Sequence, residues 1–216
     1  MSKKVLVLAA HPDDETLGCG GTIRRLSNEG HEIQLLTFTD GEGARGETDK
    51  NRNNVLDDVS EILGIHKHAS ANFPDNAMDS VPLIDLCKFI EQEVDYSPDI
   101  IFTHFIDDLN IDHQLVAKAT FTAFRPQLGN EHKIYSYYVP SSTDYNPVSN
   151  FTASTYFKLT LDNTYQKQKA LKVYDAEMRD YPHTRSYENV NNLMRVWGSE
   201  VGTMWAEKFI NIRELI

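Results

Sequence analysis

Apolar residues along this chain recur in two rhythms. Residues 4–10 (KVLVLAA) form a short aliphatic run, the pattern of a strand buried on both faces. Residues 16–28 then carry Leu17, Ile23 and Leu26 at helical spacing. Gly18, Cys19, Gly20 and Gly21 keep the start of that helix small enough for close packing, and Gly30 closes it as a C-cap. The alternation continues with a strand at 32–39 (EIQLLTFT), a polar glycine-rich loop at 40–47 and a helix at 51–63 ended by Gly64. A short strand at 69–73 precedes an amphipathic helix at 82–94. A strand at 99–104 (DIIFTH), a helix at 111–124 stopped by Pro126 and a strand at 133–139 (KIYSYYV) follow. The last third changes character. A polar connection at 145–155 leads to an alternating strand at 156–161 (YFKLTL), then to helices at 163–180 and 186–208 around the turn at 181–185.

Strands that alternate with helices imply right-handed crossovers and a parallel sheet. The expectation is an α/β protein with a Rossmann-like, doubly wound, mostly parallel sheet, helices on both faces and a C-terminal helical and strand extension. No repeat and no linker rich in Pro, Gly or Ser divides the chain, so residues 1–216 read as one domain. Within it, 1–140 form the core and 141–216 an extension that completes a cleft. Ligands of such sheets sit beyond the carboxyl ends of the strands. The polar clusters at 11–15, 40–47 and 104–113 each follow a predicted strand.

Composition narrows the function. The chain has 216 residues, with 21 Lys+Arg against 32 Asp+Glu and a net charge of -11. A nucleic-acid or anionic-membrane surface needs a positive footprint and is excluded on that balance. A small anionic ligand held by a few placed arginines is not. Cys19 and Cys87 are the only cysteines, too few for a disulfide framework or a thiolate zinc cluster. A metal site must therefore be built from histidine and carboxylate. The apolar run at 5–10 is too short for a signal peptide, and no stretch approaches a membrane span, so a cytoplasmic protein is expected.

The first strand ends in one imidazole and two carboxylates, His11, Asp13 and Asp14. Imidazole and carboxylate suit zinc and similar divalent ions, and a catalytic zinc needs about three protein ligands and one open position. His113 opens the helix after the fourth strand. Strands one and four are commonly neighbours in a doubly wound sheet, which brings His11, Asp14 and His113 together. The same turn also reads as an N-cap cluster in which Asp13, Asp14 or Thr16 caps the helix without a metal. Two histidines at two strand ends favour the metal. A nucleotide-binding turn is disfavoured, because acidic side chains stand where a phosphate loop belongs.

These residues carry a resemblance. Ala10-His11-Pro12-Asp13-Asp14-Glu15 with Gly18-Cys19-Gly20-Gly21, Thr39-Asp40-Gly41-Glu42, and Thr103-His104 with Asp108-Leu109-Asn110-Ile111-Asp112-His113 resemble the motifs of the PIG-L or LmbE-like de-N-acetylases. Thr122-Ala123-Phe124-Arg125-Pro126, His183-Thr184-Arg185-Ser186 and Ala206-Glu207-Lys208-Phe209 resemble a bacterial branch of that family found with glycan and antibiotic biosynthesis. The resemblance implies a Rossmann-like, metal-dependent hydrolase, usually with zinc and with iron(II) as an alternative. It implies removal of the N-acetyl group from an N-acetylglucosamine-type sugar, with release of acetate and an amine. It makes His11, Asp14 and His113 the metal ligands and Asp13 the general base. Other readings on the same fold are hydrolysis of a different amide or acyl bond and a non-catalytic sugar-binding module.

The chain departs from the family at the proton donor. Many members have histidine where Asn110 stands, and asparagine cannot shuttle a proton. Asp13 returning its proton, His104 and His183 are the candidate acids, with Asp112 supporting a neighbouring group. The candidate substrate contacts are Arg45, Arg52, Asp75, His183 and Arg185. Arginine forks match hydroxyl pairs or phosphate oxygens, although Arg45 and Arg52 also have Glu42, Glu47 and Asp49 nearby as surface partners. Val55 replaces a glutamate often found in the family. Tyr135, Tyr137, Tyr138, Trp197 and Trp205 are either sugar platforms or core. The expected partner is a small acetamido-sugar or sugar conjugate, and a homo-oligomer is compatible with the sequence.

Overall fold

A computed structural model describes residues 2–39 and 52–215, with side chains from residue 55 onward in the second stretch. The elements run β1 (Lys4–Ala9), α1 (Asp14–Asn28), β2 (Glu32–Thr37), α2 (Arg52–Leu63), β3 (Lys67–Ser70), α3 (Leu83–Glu93), β4 (Ile100–His104) and α4 (Ile111–Ala123). They continue with β5 (Lys133–Tyr137), β6 (Thr155–Leu159), α5 (Leu161–Val173), α6 (Tyr187–Glu200) and β7 (Trp205–Arg213). One seven-stranded sheet has the order β3-β2-β1-β4-β5-β7-β6. Its first five strands are parallel, and β7 runs antiparallel to both β5 and β6.

The period of two along β1 builds both layers. Val5, Val7 and Ala9 pack on one face with Leu17 and Ile23 of α1, Leu56 and Val59 of α2, Leu171 of α5 and Val190 of α6. Leu6 and Leu8 pack on the other with Leu86 and Ile90 of α3 and Val116 of α4. The expected pairing of the first and fourth strands is present, Val5 opposite Ile100 and Val7 opposite Phe102. No helix among the described residues is long and apolar enough to cross a membrane.

The helix expected at 186–208 instead ends at Glu200, and Gly202 turns the chain at φ 74. The amide of Thr203 closes the turn on the Gly198 carbonyl at 2.9 Å. The remainder is β7, wedged between β5 and β6, so the 206–209 motif lies on a strand. The spacing of Val190, Met194 and Trp197 is helical, but from Trp205 onward strand pairing decides. The helix expected at 163–180 stops at Val173 and gives way to a 3₁₀ turn at Asp175–Glu177, and the third strand lies at 67–70 rather than 69–73. The predicted loop at 40–47 lies outside the described residues.

Helix α1 is two helices joined at Cys19, whose φ of -142 and ψ of 18 leave the helical region. The break frees main-chain groups, and buried side chains take them. The Lys167 ammonium donates to the Leu17 carbonyl at 2.8 Å. The Glu207 carboxylate accepts the amides of Gly21 at 3.0 Å and Thr22 at 2.7 Å. Lys167 and Glu207 also meet each other at 2.6 Å.

The first half of α1 lies against Tyr137. A Cβ on Gly18 would overlap Cδ2 of that ring. The ring is fully buried and tied by its hydroxyl to the Leu8 carbonyl at 2.8 Å, so it has no free direction to move. Alanine gains about 1 kcal/mol in helix propensity over glycine, but overpacking costs about 1–3 kcal/mol or more. Gly18→Ala is expected to lower the urea midpoint of unfolding. An unchanged or raised midpoint sinks this packing argument.

Candidate metal and catalytic site

Loops at the ends of β1, β4 and β5 converge with the turn before α6. The turn after β1 delivers His11, Asp13 and Asp14. His11 Nδ1 lies 3.1 Å from Asp14 Oδ2, and His113 Nε2 lies 3.2 Å from the same oxygen. The candidate ligand atoms of His11, Asp14 and His113 all fall within 4.8 Å of one another. Among the described residues Asp14 Oδ1 and His113 Nε2 are buried without a hydrogen-bond partner. Unpaired acceptors in a dry site are costly unless a cation takes them. Two imidazoles and a carboxylate fit a divalent ion of the zinc or iron(II) type.

Each imidazole turns its other nitrogen to carboxylate. His11 Nε2 meets Asp112 Oδ2 at 3.1 Å and Asp75 Oδ1 at 3.2 Å. His113 Nδ1 meets Asp108 Oδ1 at 3.2 Å. Asp112 also accepts the amides of Asn76 at 2.7 Å and Met78 at 3.0 Å, which pins the loop that carries Asp75. Burial works against ionisation of Asp14, but His113 and the hydrogen bond from His11 outweigh it and hold the carboxyl well below its ordinary value.

Asp13 stands beside this cluster in a strained conformation, φ 124. Its amide donates to Glu15 Oε2 at 3.1 Å, and Tyr174 steadies Glu15 with a hydroxyl at 3.0 Å from Oε1. Arg185 donates from a terminal nitrogen to Asp13 Oδ2 at 2.8 Å and from Nε to Ser141 Oγ at 2.9 Å. Burial is the largest influence on Asp13 and pushes its carboxyl up to about 7, with Arg185 pulling the other way. The three positive-φ residues other than glycine, Asp13, Asn76 and Ser141, all border this site among the described residues. Strain of this kind persists only where the surroundings enforce it, and it concentrates at functional sites.

The other sequence candidates fall as follows. His104 is fully buried and stacks on His113 with ring centroids 3.9 Å apart. Its Nε2 accepts the Ala10 amide at 2.8 Å, so the neutral ring carries its proton on Nδ1. Burial drives its pKa well below the ordinary value. Asn110 caps α4: its Oδ1 accepts the Asp112 amide at 2.8 Å and its Nδ2 reaches Asn76 at 3.3 Å. His183 accepts the Arg185 amide at 3.1 Å and meets the Tyr145 ring, which places it beside the arginine. Arg185 is directed onto Asp13. Arg45, with Glu42, Glu47 and Asp49, lies outside the described residues, as does the side chain of Arg52 at the start of α2. Tyr135, Tyr137 and Trp197 are core, and Tyr138 meets Trp197 edge-on.

Sequence reasoning assigned no role to Asp108, Glu15, Ser141 or Thr143. Asp108 shares a loop with Asn110, and an acid two residues before an N-cap was the available signal. Nothing local marks Thr143 or Ser141, because the end of β5 reaches the site only through sheet order.

Residues 6–124 match a family profile described as PIG-L, GlcNAc-PI de-N-acetylase. The chain is 30% identical over 135 residues to the uncharacterized deacetylase YaiS of Escherichia coli (strain K12), covering 58% of this chain and 71% of that one. It is 43% identical over 60 residues to the 1D-myo-inositol 2-acetamido-2-deoxy-alpha-D-glucopyranoside deacetylase of Gordonia bronchialis, covering 28% of this chain and 21% of that protein. An N,N'-diacetylchitobiose deacetylase structure from Pyrococcus horikoshii superposes with a TM-score of 0.73 at 22% identity, over 96% of this chain and 83% of that one, and shares its fold.

Proposed function

This chain belongs to the PIG-L family, and from that premise we propose that it is a metal-dependent hydrolase removing the N-acetyl group from an N-acetylglucosamine-type sugar or sugar conjugate. The observation that carries the reading is the pair of unpartnered buried acceptors, Asp14 Oδ1 and His113 Nε2, with Asp13 beside them. His11, Asp14 and His113 would hold the ion, zinc first and iron(II) second by the usual affinity order of imidazole and carboxylate sites. When bound, the ion supplies the Lewis acidity that polarises an amide carbonyl.

The rest of the chemistry belongs to side chains. Asp13 takes the proton of the attacking water, as a carboxylate poised near neutrality does best. Glu15 fixes its main chain and Arg185 one of its carboxylate oxygens. The leaving amine needs a proton, and Asp13 returns the one it took. Asn110 has none to give, and His104 holds its proton in a buried position. Asp112 and Asp75 orient His11. Arg45, Arg52, Asp75 and His183 are the proposed sugar contacts, and the product leaves as acetate and a free amino sugar. The protein works in the cytoplasm on a small-molecule substrate.

The test is direct. Purified protein is assayed for acetate release from N-acetylglucosamine conjugates after its bound metal is quantified. Activity is expected to disappear on dialysis against a chelator and to return with zinc or iron(II). Full activity in demonstrably metal-free protein overturns the metal dependence. Metal-loaded protein that releases no acetate from any acetamido sugar overturns the substrate class.

A further inference from the structure

We infer that Asp108, held by Thr143, is a positioning residue that selects which nitrogen of His113 faces the metal. The inference rests on the reading of His113 as a ligand, but its test needs no substrate.

Asp108 is 1% exposed, and both of its carboxylate oxygens are engaged. Oδ1 accepts the Asn110 amide at 2.9 Å and Oδ2 accepts the Thr143 hydroxyl at 2.5 Å. The Thr143 oxygen in turn accepts the Val139 amide at 2.9 Å, so its hydroxyl proton is free to point at Asp108. This chain starts in the main chain just after β5 and ends at the carboxylate. His113 Nδ1 then meets Oδ1 at 3.2 Å. Both oxygens already accept hydrogen bonds, from the Asn110 amide and the Thr143 hydroxyl, so the group presents an acceptor to His113. His113 Nδ1 therefore carries a hydrogen, which faces Asp108 Oδ1 at 3.2 Å and the Ser142 hydroxyl oxygen at 3.3 Å, two groups able to accept it. The lone pair of the neutral ring is then on Nε2, the buried atom without a hydrogen bond that faces Asp14.

The two ligand histidines are thus presented by opposite nitrogens, His11 by Nδ1 with Asp112 and Asp75 behind Nε2, and His113 by Nε2 with Asp108 behind Nδ1. Asp112 lies next to His113 in sequence yet serves His11. The residue serving His113 is Asp108, anchored from the C-terminal part of the chain. A carboxylate behind a ligating imidazole fixes tautomer and ring orientation and raises basicity, and its loss typically weakens metal binding 10–100-fold.

The experiment measures zinc affinity of the full chain by competition with a chromophoric chelator. It uses wild type, Asp108→Ala, Asp108→Asn and Thr143→Val. Asp108→Ala is expected to weaken zinc binding about 10–100-fold. Asp108→Asn keeps an acceptor without the charge and should recover part of that loss, and Thr143→Val should cost less than Asp108→Ala. In zinc-loaded wild type, histidine-selective ¹⁵N spectra should show His113 metallated at Nε2 with a slowly exchanging Nδ1 proton, and Asp108→Ala should speed that exchange. A merely structural aspartate would lower the melting temperature of the metal-free protein and leave zinc affinity and exchange unmoved. Wild-type affinity in all three variants, or metallation of His113 at Nδ1, overturns the inference. If Asp108→Ala does not fold, Thr143→Val and the wild-type spectrum decide. Protein that passes this test and deacetylates nothing refutes the proposed function alone.

Discussion

Asp13→Asn is expected to lower kcat by about 10²–10⁴-fold, the range general acid–base catalysis contributes, with bound metal unchanged. The side chains are nearly the same shape, and asparagine keeps an oxygen for the Arg185 hydrogen bond. The φ of 124 at this position favours Asn at least as well as Asp, so no folding penalty competes with the chemical one. What is lost is the ability to accept and return a proton, the only role proposed for Asp13. Because Asp13 is not among the three proposed ligands, metal content separates this variant from Asp14→Asn, which should lose both. The measurements are steady-state acetate release and metal analysis on the same preparation. An Asp13→Asn enzyme within threefold of wild type removes Asp13 from the mechanism. Loss of metal along with activity makes it a ligand instead.

Why the site was so legible in the sequence follows from how it is built. His11, Asp13 and Asp14 sit on one turn, and the parallel pairing of β1 with β4 carries His113 to them. The strand order around that pairing follows from crossover rules. The strained backbone of Asp13 was not legible, since Asp-Asp-Glu reads equally well as an N-cap run. Nor were the contacts from the last third of the chain. Arg185 on Asp13 and Thr143 on Asp108 depend on where 141–216 packs, and that depends on β7. In the segment that forms β7, Glu207 and Lys208 interrupt the two-residue alternation that marks a strand. One is buried with an unusual duty and the other pairs outward with Glu200 at 3.4 Å. Local propensity does not see a carboxylate spent inside the protein.

That carboxylate supports the second large effect. Glu207→Gln is expected to destabilise the fold by about 3–5 kcal/mol, the usual cost of breaking a buried pair from one side. For a domain of this length that is a fall of roughly 6–20 °C in Tm. Three donors converge on Glu207: the Gly21 amide, the Thr22 amide and the Lys167 ammonium. The glutamine amide nitrogen would face a donor wherever it lies, and Lys167, 1% exposed, would keep a buried charge without its counterion. An ordinary buried ion pair can often be replaced by apolar residues at no loss. Here the pair also caps the break in α1, so removing both partners strips the Leu17 carbonyl and two amides at once. Lys167→Met with Glu207→Leu should therefore remain well below wild type in thermal melts. A double variant as stable as wild type would mean the pair is replaceable and the helix break needs no cap. The first half of α1 opens with Asp14 and is aligned by this cap, so in the Glu207 variants metal affinity should fall with stability.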